Sequence, residues 1–372
     1  MLPLNENLKK VGLGAALICA TSAVLLYSDL GSRNRNGAGG GRTDGRLQVA
    51  MVQQTSIPAL DDGLTGMLAA LEERGYVDGG RISVHRYNAQ GDTATANAIA
   101  TEVTSGDNDL ILTVSTISLQ TVANANRNAT PPRKHVFGVV TDPYSIGVGV
   151  SRQNHAAHPA YMTGIGSSPP VAELFALARE LRPSLKRVGL VWNPAEANSV
   201  VATQLGRAVC SRMGIELIEA NAENATMVGD AVSSVLAQNV DAIWVSPDLT
   251  TGHGLDVIIR KAKVARIPVI SSIPTEKPSG TLFDLGADYE AIGYASGMIA
   301  ADVLDGRDPA KIPVEDMMPS KLQVNRLALN GLRDHWDLPD AVVVRADVVV
   351  DESGRHLNGA AGAKAGAGGG TK

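Results

Sequence analysis

Aromatic residues are scarce in this chain. Only 3% of its 372 residues are Phe, Trp or Tyr, so platforms for stacking bases or long sugars are few. Positive charge is not in excess either: 33 Lys and Arg against 38 Asp and Glu give a net charge of -5. That leaves no overall basic surface, and no nucleic-acid partner is expected. There are two cysteines, Cys19 in an N-terminal apolar run and Cys210 in a predicted helix. A disulfide between them is not expected, and neither belongs to a metal-ligand cluster. Catalytic signatures are missing as well. No Gly-x-Gly-x-x-Gly follows the first predicted strand, and there is no Walker-type phosphate loop. No Gly-x-Ser-x-Gly elbow appears. His155 and His158 form an H-x-x-H pair in a Pro- and Ala-flanked loop, too few ligands for a zinc site. The chain is therefore not expected to be an enzyme, and no cofactor or metal is expected.

What is present is 44% hydrophobic and 19% charged, the balance of a soluble globular protein with room for two domains. The first 30 residues read as a targeting segment, in which Lys9 and Lys10 precede an uncharged run from Val11 to Tyr27. Such a run is either a cleaved signal peptide or an uncleaved membrane anchor, since its length just spans a bilayer. Export follows from both. Residues 31–45, rich in Gly, Arg and Asn, read as a flexible tether. A Gly/Ala/Lys tail, 357–372, offers nothing for a core.

Between these ends, short β-branched runs alternate with longer amphipathic stretches, the pattern of βαβ units on a parallel sheet. Strands are predicted at Leu47 to Val52, Ile82 to Arg86, Leu110 to Val114 and Val136 to Val140. Four more follow at Val188 to Trp192, Ile215 to Ile218, Ala242 to Val245 and Ile267 to Ile270. Corresponding strands of the two sets are separated by nearly constant spacings, which predicts two copies of one architecture with a cleft between them. The expected fold class is thus α/β, two Rossmann-like lobes with parallel sheets. The first lobe is expected over 46–162, completed by about 288–318, and the second over 163–287, completed by about 319–356.

In open parallel sheets, ligands bind beyond the carboxyl ends of the strands. That rule selects Ser115 and Thr116 after the third strand, Thr141 and Asp142 after the fourth, Asn193 after the first strand of the second lobe, and Asp248. Hydroxyl and amide groups dominate, which suits a small polar solute. Ser115 and Thr116 open a predicted helix, where unpaired N–H groups and the dipole favour a carboxylate; they are equally good helix caps. Asp142 and Asp248 can each accept from an ammonium group, although Asp142 precedes Pro143 and can simply cap a turn.

These segments together resemble the ABC transporter substrate-binding family that includes the tryptophan/tyrosine-type binding proteins. The resemblance runs from about Gln48 to Asp351. It rests on Pro58-Ala59-Leu60-Asp61, on Arg86-Tyr87-Asn88-Ala89-Gln90-Gly91-Asp92 and on Thr141-Asp142-Pro143. Trp192-Asn193-Pro194-Ala195-Glu196-Ala197-Asn198-Ser199 carries most weight, and Ala265-Arg266-Ile267-Pro268-Val269 adds to it. The resemblance implies the type I periplasmic-binding fold, a solute such as an amino acid held between the lobes, and docking of a monomer on a membrane ABC permease. The residues it implies for ligand binding are Asp61, Ser115, Thr116, Asp142, Asn193, Glu196, Asn198, Ser199 and Asp248. Departures touch the cleft. Ile57 stands where relatives commonly carry His, and Leu249 follows Asp248 where a polar residue is frequent. A membrane-tethered ligand sensor is the alternative reading, and an enzyme on an α/β scaffold a more distant one.

Overall fold

The computed structural model describes residues 45–274 and 280–358. The expected targeting segment, all of the expected tether but Gly45, and the tail beyond Asn358 lie outside the described residues.

The first lobe opens with β1 (Leu47–Gln53), α1 (Pro58–Glu73), β2 (Ile82–Asn88), α2 (Thr93–Ser105), β3 (Leu110–Val114), α3 (Thr116–Asn126), β4 (His135–Val140) and β5 (Met162–Gly166). The chain then crosses to α4 (Val171–Leu181), β6 (Arg187–Trp192), α5 (Ala197–Met213), β7 (Glu216–Asn221), α6 (Val228–Leu236), β8 (Ala242–Val245), α7 (Leu249–His253), α8 (Leu255–Ala265), β9 (Val269–Ser271) and β10 (Phe283–Ala287). It returns through α9 (Tyr289–Leu304) and β11 (Glu315–Asp316), then crosses again to β12 (Ser320–Asn325), α10 (Asp340–Arg345), β13 (Val348–Asp351) and β14 (Gly354–Leu357).

Two sheets result. One has the order β11-β5-β4-β3-β1-β2, and the other β14-β13-β12-β10-β9-β8-β6-β7. Every pairing in the first is parallel, as are those from β10 to β7 in the second. The order 2-1-3-4-5 of the first lobe is repeated as 7-6-8-9-10, so the duplication read from strand spacing is a duplication of topology. Strands such as β3 are buried along their whole length, as a sheet covered by helices on both faces requires.

Boundaries differ from the expected ones in two places. β5 places residues 163–166 in the first sheet, and β14 takes Leu357 into the second. β5 reads Met-Thr-Gly-Ile-Gly, poor strand material by propensity. Its Gly164 is required by contact: a Cβ there would sit 2.3 Å from the Phe137 carbonyl oxygen.

α9 follows a strand of the second sheet yet packs on the first lobe, against α1. Glycines let the two backbones meet: a Cβ on Gly66 would lie 2.0 Å from the Glu290 oxygen, and one on Gly293 2.0 Å from that of Gly63. Asp288 caps α9 by accepting from Ala291 N, which sets Tyr289 at the mouth between the lobes.

Candidate functional site

The carboxyl ends of both sheets face a common cleft, closed in this structure. Leu249 of the second lobe packs into the first lobe's core cluster, and Ala59 of the first into a cluster of the second. A hydrogen bond of 3.0 Å joins Thr55 Oγ1 to His253 Nε2 across the gap. Inside lies a cavity with about 420 Å³ of atom-free space, part of it open to solvent, of which only about 40 Å³ admits the centre of a water-sized sphere.

The first-lobe wall is backbone held under strain. Ser115, at the end of β3, has φ 108° and ψ 156°, and its Oγ accepts from Ser118 N at 3.1 Å to cap α3. Val139 has φ 56° where the β4–β5 register shifts between Phe137 and Val140. A left-handed conformation costs a β-branched residue on the order of 1–2 kcal/mol, and strain of this kind collects where a ligand surface is shaped. Both residues line the cavity, with Ile57, Leu60, Thr116 and Thr141. Ile57 precedes Pro58 at the start of α1 and puts no side-chain cap on it. Ala59 in the first turn of α1 and Thr116 in that of α3 line the cavity, and the N–H groups that open a helix have no partner within it.

The second-lobe wall is a network of side chains. Asp248 caps α7, accepting from Thr251 N at 2.7 Å, Asn193 N at 2.7 Å and Ser199 Oγ at 2.5 Å. Glu196 accepts from Leu249 N at 2.8 Å, Thr250 N at 3.0 Å and Thr250 Oγ1 at 2.6 Å. Asn193 donates to Thr250 Oγ1 at 2.9 Å. Asn198 donates to the Pro247 oxygen at 2.9 Å, but among the described residues no donor reaches its buried Oδ1. Glu196 and Asp248 are 6% and 2% exposed, and no ion pair reaches either among the described residues. Burial, and next the charge of Glu196, hold the Asp248 carboxyl above the usual carboxylate range, against the bonds from Ser199, Thr251 and Asn193.

Of the nine residues singled out in the sequence, Ser115, Thr116, Asn198 and Asp248 line the cavity; among the described residues the other five do not. Asp61 accepts from Gln53 Nε2 at 2.6 Å and Ser56 Oγ at 3.1 Å, folding the loop before α1. Asp142 pairs with Arg152, accepts from Tyr144 N, and so tethers the 142–152 loop. Asn193, Glu196 and Ser199 stand behind Asp248. Trp192 does not line the cavity; Arg207 stacks on its ring at 5.4 Å. His155 stacks on Tyr144 at 5.1 Å, and no cluster of three candidate metal ligands occurs among the described residues.

Lining residues not foreseen include Val139, Ile273 and Tyr289. The approach of α9 brings Tyr289 in, and burial pushes its phenol up, keeping it neutral. The signal for it in the sequence is Asp288, a capping residue just before the helical pattern of Ile292, Ala295, Ile299 and Val303. Nothing local marks Val139 or Ile273 apart from any other strand-end aliphatic.

A sequence profile described as "ABC transporter substrate binding protein" matches residues 48–350. The chain belongs to that family. This substrate-binding protein is 28% identical over 293 residues to a tyrosine-binding protein of Clostridioides difficile, covering 78% of the chain and 83% of that relative. A conserved domain protein of Vibrio cholerae superposes with a TM-score of 0.74 at 29% identity, covering 82% of this chain and 99% of the other. An ABC domain of Streptococcus pneumoniae in complex with L-Trp gives 0.75 at 23% identity, covering 82% and 100%. The fold is that of type I periplasmic-binding proteins, and proteins of this family bind substrates rather than transform them.

Proposed function

We propose that this substrate-binding protein is the extracytoplasmic, monomeric component of an ABC importer, delivering a zwitterionic amino acid to a membrane permease. One observation carries the reading: the two cavity walls have opposite electrostatics. The first lobe presents the N-termini of α1 and α3, with Ser115 and Thr116, a setting for a carboxylate. The second presents Asn198 Oδ1, unpaired among the described residues, beside Asp248 and Glu196, two buried carboxylates that no cation reaches among those residues. An ammonium group there meets an empty acceptor and lowers the repulsion between the two acids. Ser115, Thr116, Asn198 and Asp248 thus touch the solute, while Asp61, Asp142, Asn193, Glu196 and Ser199 shape the walls. The tyrosine-binding relative and the L-Trp complex agree in ligand class. Export agrees with Lys9 and Lys10 before the apolar run, which either is cleaved or anchors the protein through residues 11–27.

Titration calorimetry with an amino acid, its des-amino acid and its amide tests the reading. Removing either charge is expected to weaken binding at least about tenfold, roughly 1.4 kcal/mol. Binding of a neutral sugar or nucleoside, with no amino acid bound, overturns it.

A further inference from the structure

We infer that the solute's side chain is small and aliphatic, of alanine to valine size, and that Leu249 and Ile57 set this limit from opposite lobes. The inference rests on the amino-acid reading above and narrows it.

Beyond the residues assigned to the two charged ends, what is left of the wall is mostly aliphatic. Ile57, Leu60 and Val139 face Pro247, Leu249 and Ile273, and Tyr289 is the one aromatic ring among the described lining residues. A wall of branched aliphatic groups rewards an apolar side chain, and among the described lining residues Tyr289 alone offers a flat face for stacking. Trp192 is elsewhere, under Arg207. The polar groups of the lining left over from the charged ends are the Thr141 and Tyr289 hydroxyls, so a phenol or indole N–H that reaches neither would be left buried at a cost.

Size points the same way. The 40 Å³ that admits a water's centre corresponds to roughly three waters, at about 10–15 Å³ each on this measure. Any amino acid must therefore open the walls, a small aliphatic one by less than an aromatic one. Nearest to that opening are the interlobe residues. Leu249 is anchored at the start of α7 by Glu196, whose carboxylate accepts its N–H, and packs into the first lobe's cluster. Ile57 sits fixed before Pro58 and is 8% exposed. Closure presses these two side chains towards the same space.

The test is calorimetry on the full chain with L-alanine, L-valine, L-leucine, L-tyrosine, L-tryptophan and 3-methylbutanoate, the des-amino analogue of valine. L-valine or L-alanine is expected to bind at least tenfold tighter than either aromatic amino acid. Leu249→Ala is expected to shift the valine-to-tyrosine affinity ratio at least tenfold towards tyrosine, with Ile57→Ala as an independent variant acting in the same direction. If tyrosine or tryptophan binds the unaltered protein more tightly than valine, the inference fails while the amino-acid reading stands. If 3-methylbutanoate binds as well as valine, or no amino acid binds, the amino-acid reading itself fails. A preference for valine that neither variant shifts overturns the assignment to Leu249 and Ile57.

Discussion

The two walls of the cleft are built by opposite means. On the first lobe, polarity comes from backbone: helix starts and two residues, Ser115 and Val139, held at positive φ. On the second it comes from side chains that mostly satisfy one another, with Asn193, Ser199, Glu196 and Asp248 joined in one network. A polar residue after a strand therefore means different things in the two lobes. In the first, Ser115, Thr116 and Thr141 stand at the cavity, with Asp142 turned to its own loop; in the second, such a residue more often holds the one that does.

Glu196→Ala separates these meanings with the largest effect. It strands the N–H groups of Leu249 and Thr250 and the Thr250 hydroxyl, all buried or nearly so. Unmet buried groups cost about 1–3 kcal/mol each, so urea denaturation of the ligand-free variant is expected to show a loss of about 3 kcal/mol. Ser115→Ala, which removes the cap bond and a bond to the Ser118 hydroxyl, is expected to cost about 1 kcal/mol. Equal losses in the two variants would erase the contrast between the walls.

The lobe interiors also differ, in their response to acid. Burial pushes the His135 imidazole, in β4, down to about 3. The unfolded chain takes up that proton near pH 6.5, so this part of the stability is present above 6.5 and lost as pH falls. At pH 5 the loss is about 2 kcal/mol. In the second lobe, burial raises the Asp284 carboxyl in β10 to about 7, against bonds from Thr281, Gln323 and Ser271. Its contribution is full below the unfolded value near 4 and is lost as pH rises through 7; between pH 7 and 5 it gains about 2 kcal/mol. Global stability is then expected to change little over that range. Hydrogen exchange is expected to show β3 and β4 losing protection towards pH 5 while β9 and β10 hold theirs. Asp284→Asn is expected to remove the compensation and make the whole protein acid-sensitive; an unchanged pH profile in that variant would sink the account.

How much of this was legible in sequence follows the same division. Strand ends and their order are marked by β-branched runs, so the lobes, their duplication and the cleft could be read from spacing. β5 could not, because Gly164 and Gly166 are there for contact and not for strand propensity. Within the site, a loop has no period to say where a side chain points. Asn193 and Asn198 stand five residues apart on the same segment, yet one is spent on Thr250 and the Glu223 oxygen while the other lines the cavity. Tyr289 reaches the cleft through a helix from a distant stretch of chain, which local pattern cannot foresee.

That distinction between Asn193 and Asn198 gives the next effect in size. Asn198→Ala removes the orphan acceptor of the cavity lining on the second lobe, along with its donation to the Pro247 oxygen. It is expected to weaken ligand binding about tenfold, near 1.4 kcal/mol, and to lower ligand-free stability by no more than about 1 kcal/mol. Calorimetry and urea denaturation on one preparation check both. A ligand-free loss larger than the binding loss would place Asn198 with Asn193 as part of the frame.

The smallest effect belongs to the bond that joins the walls. Thr55 Oγ1 and His253 Nε2 meet only when the lobes are closed, so their bond adds to the closed state and not to either lobe alone. A neutral bond at a partly exposed site is worth about 0.5–1.5 kcal/mol, and a ligand that binds the closed state reports the change in that equilibrium. His253→Ala is expected to speed ligand dissociation about threefold in stopped flow, leaving the association rate and the ligand-free melting temperature nearly unchanged. Thr55→Val, which keeps the shape and drops the hydroxyl, is expected to match it, and the double variant to add nothing further. Additive effects would mean that the two residues act separately within their own lobes, and closure would then rest on the apolar seam of Ile57 and Leu249 alone.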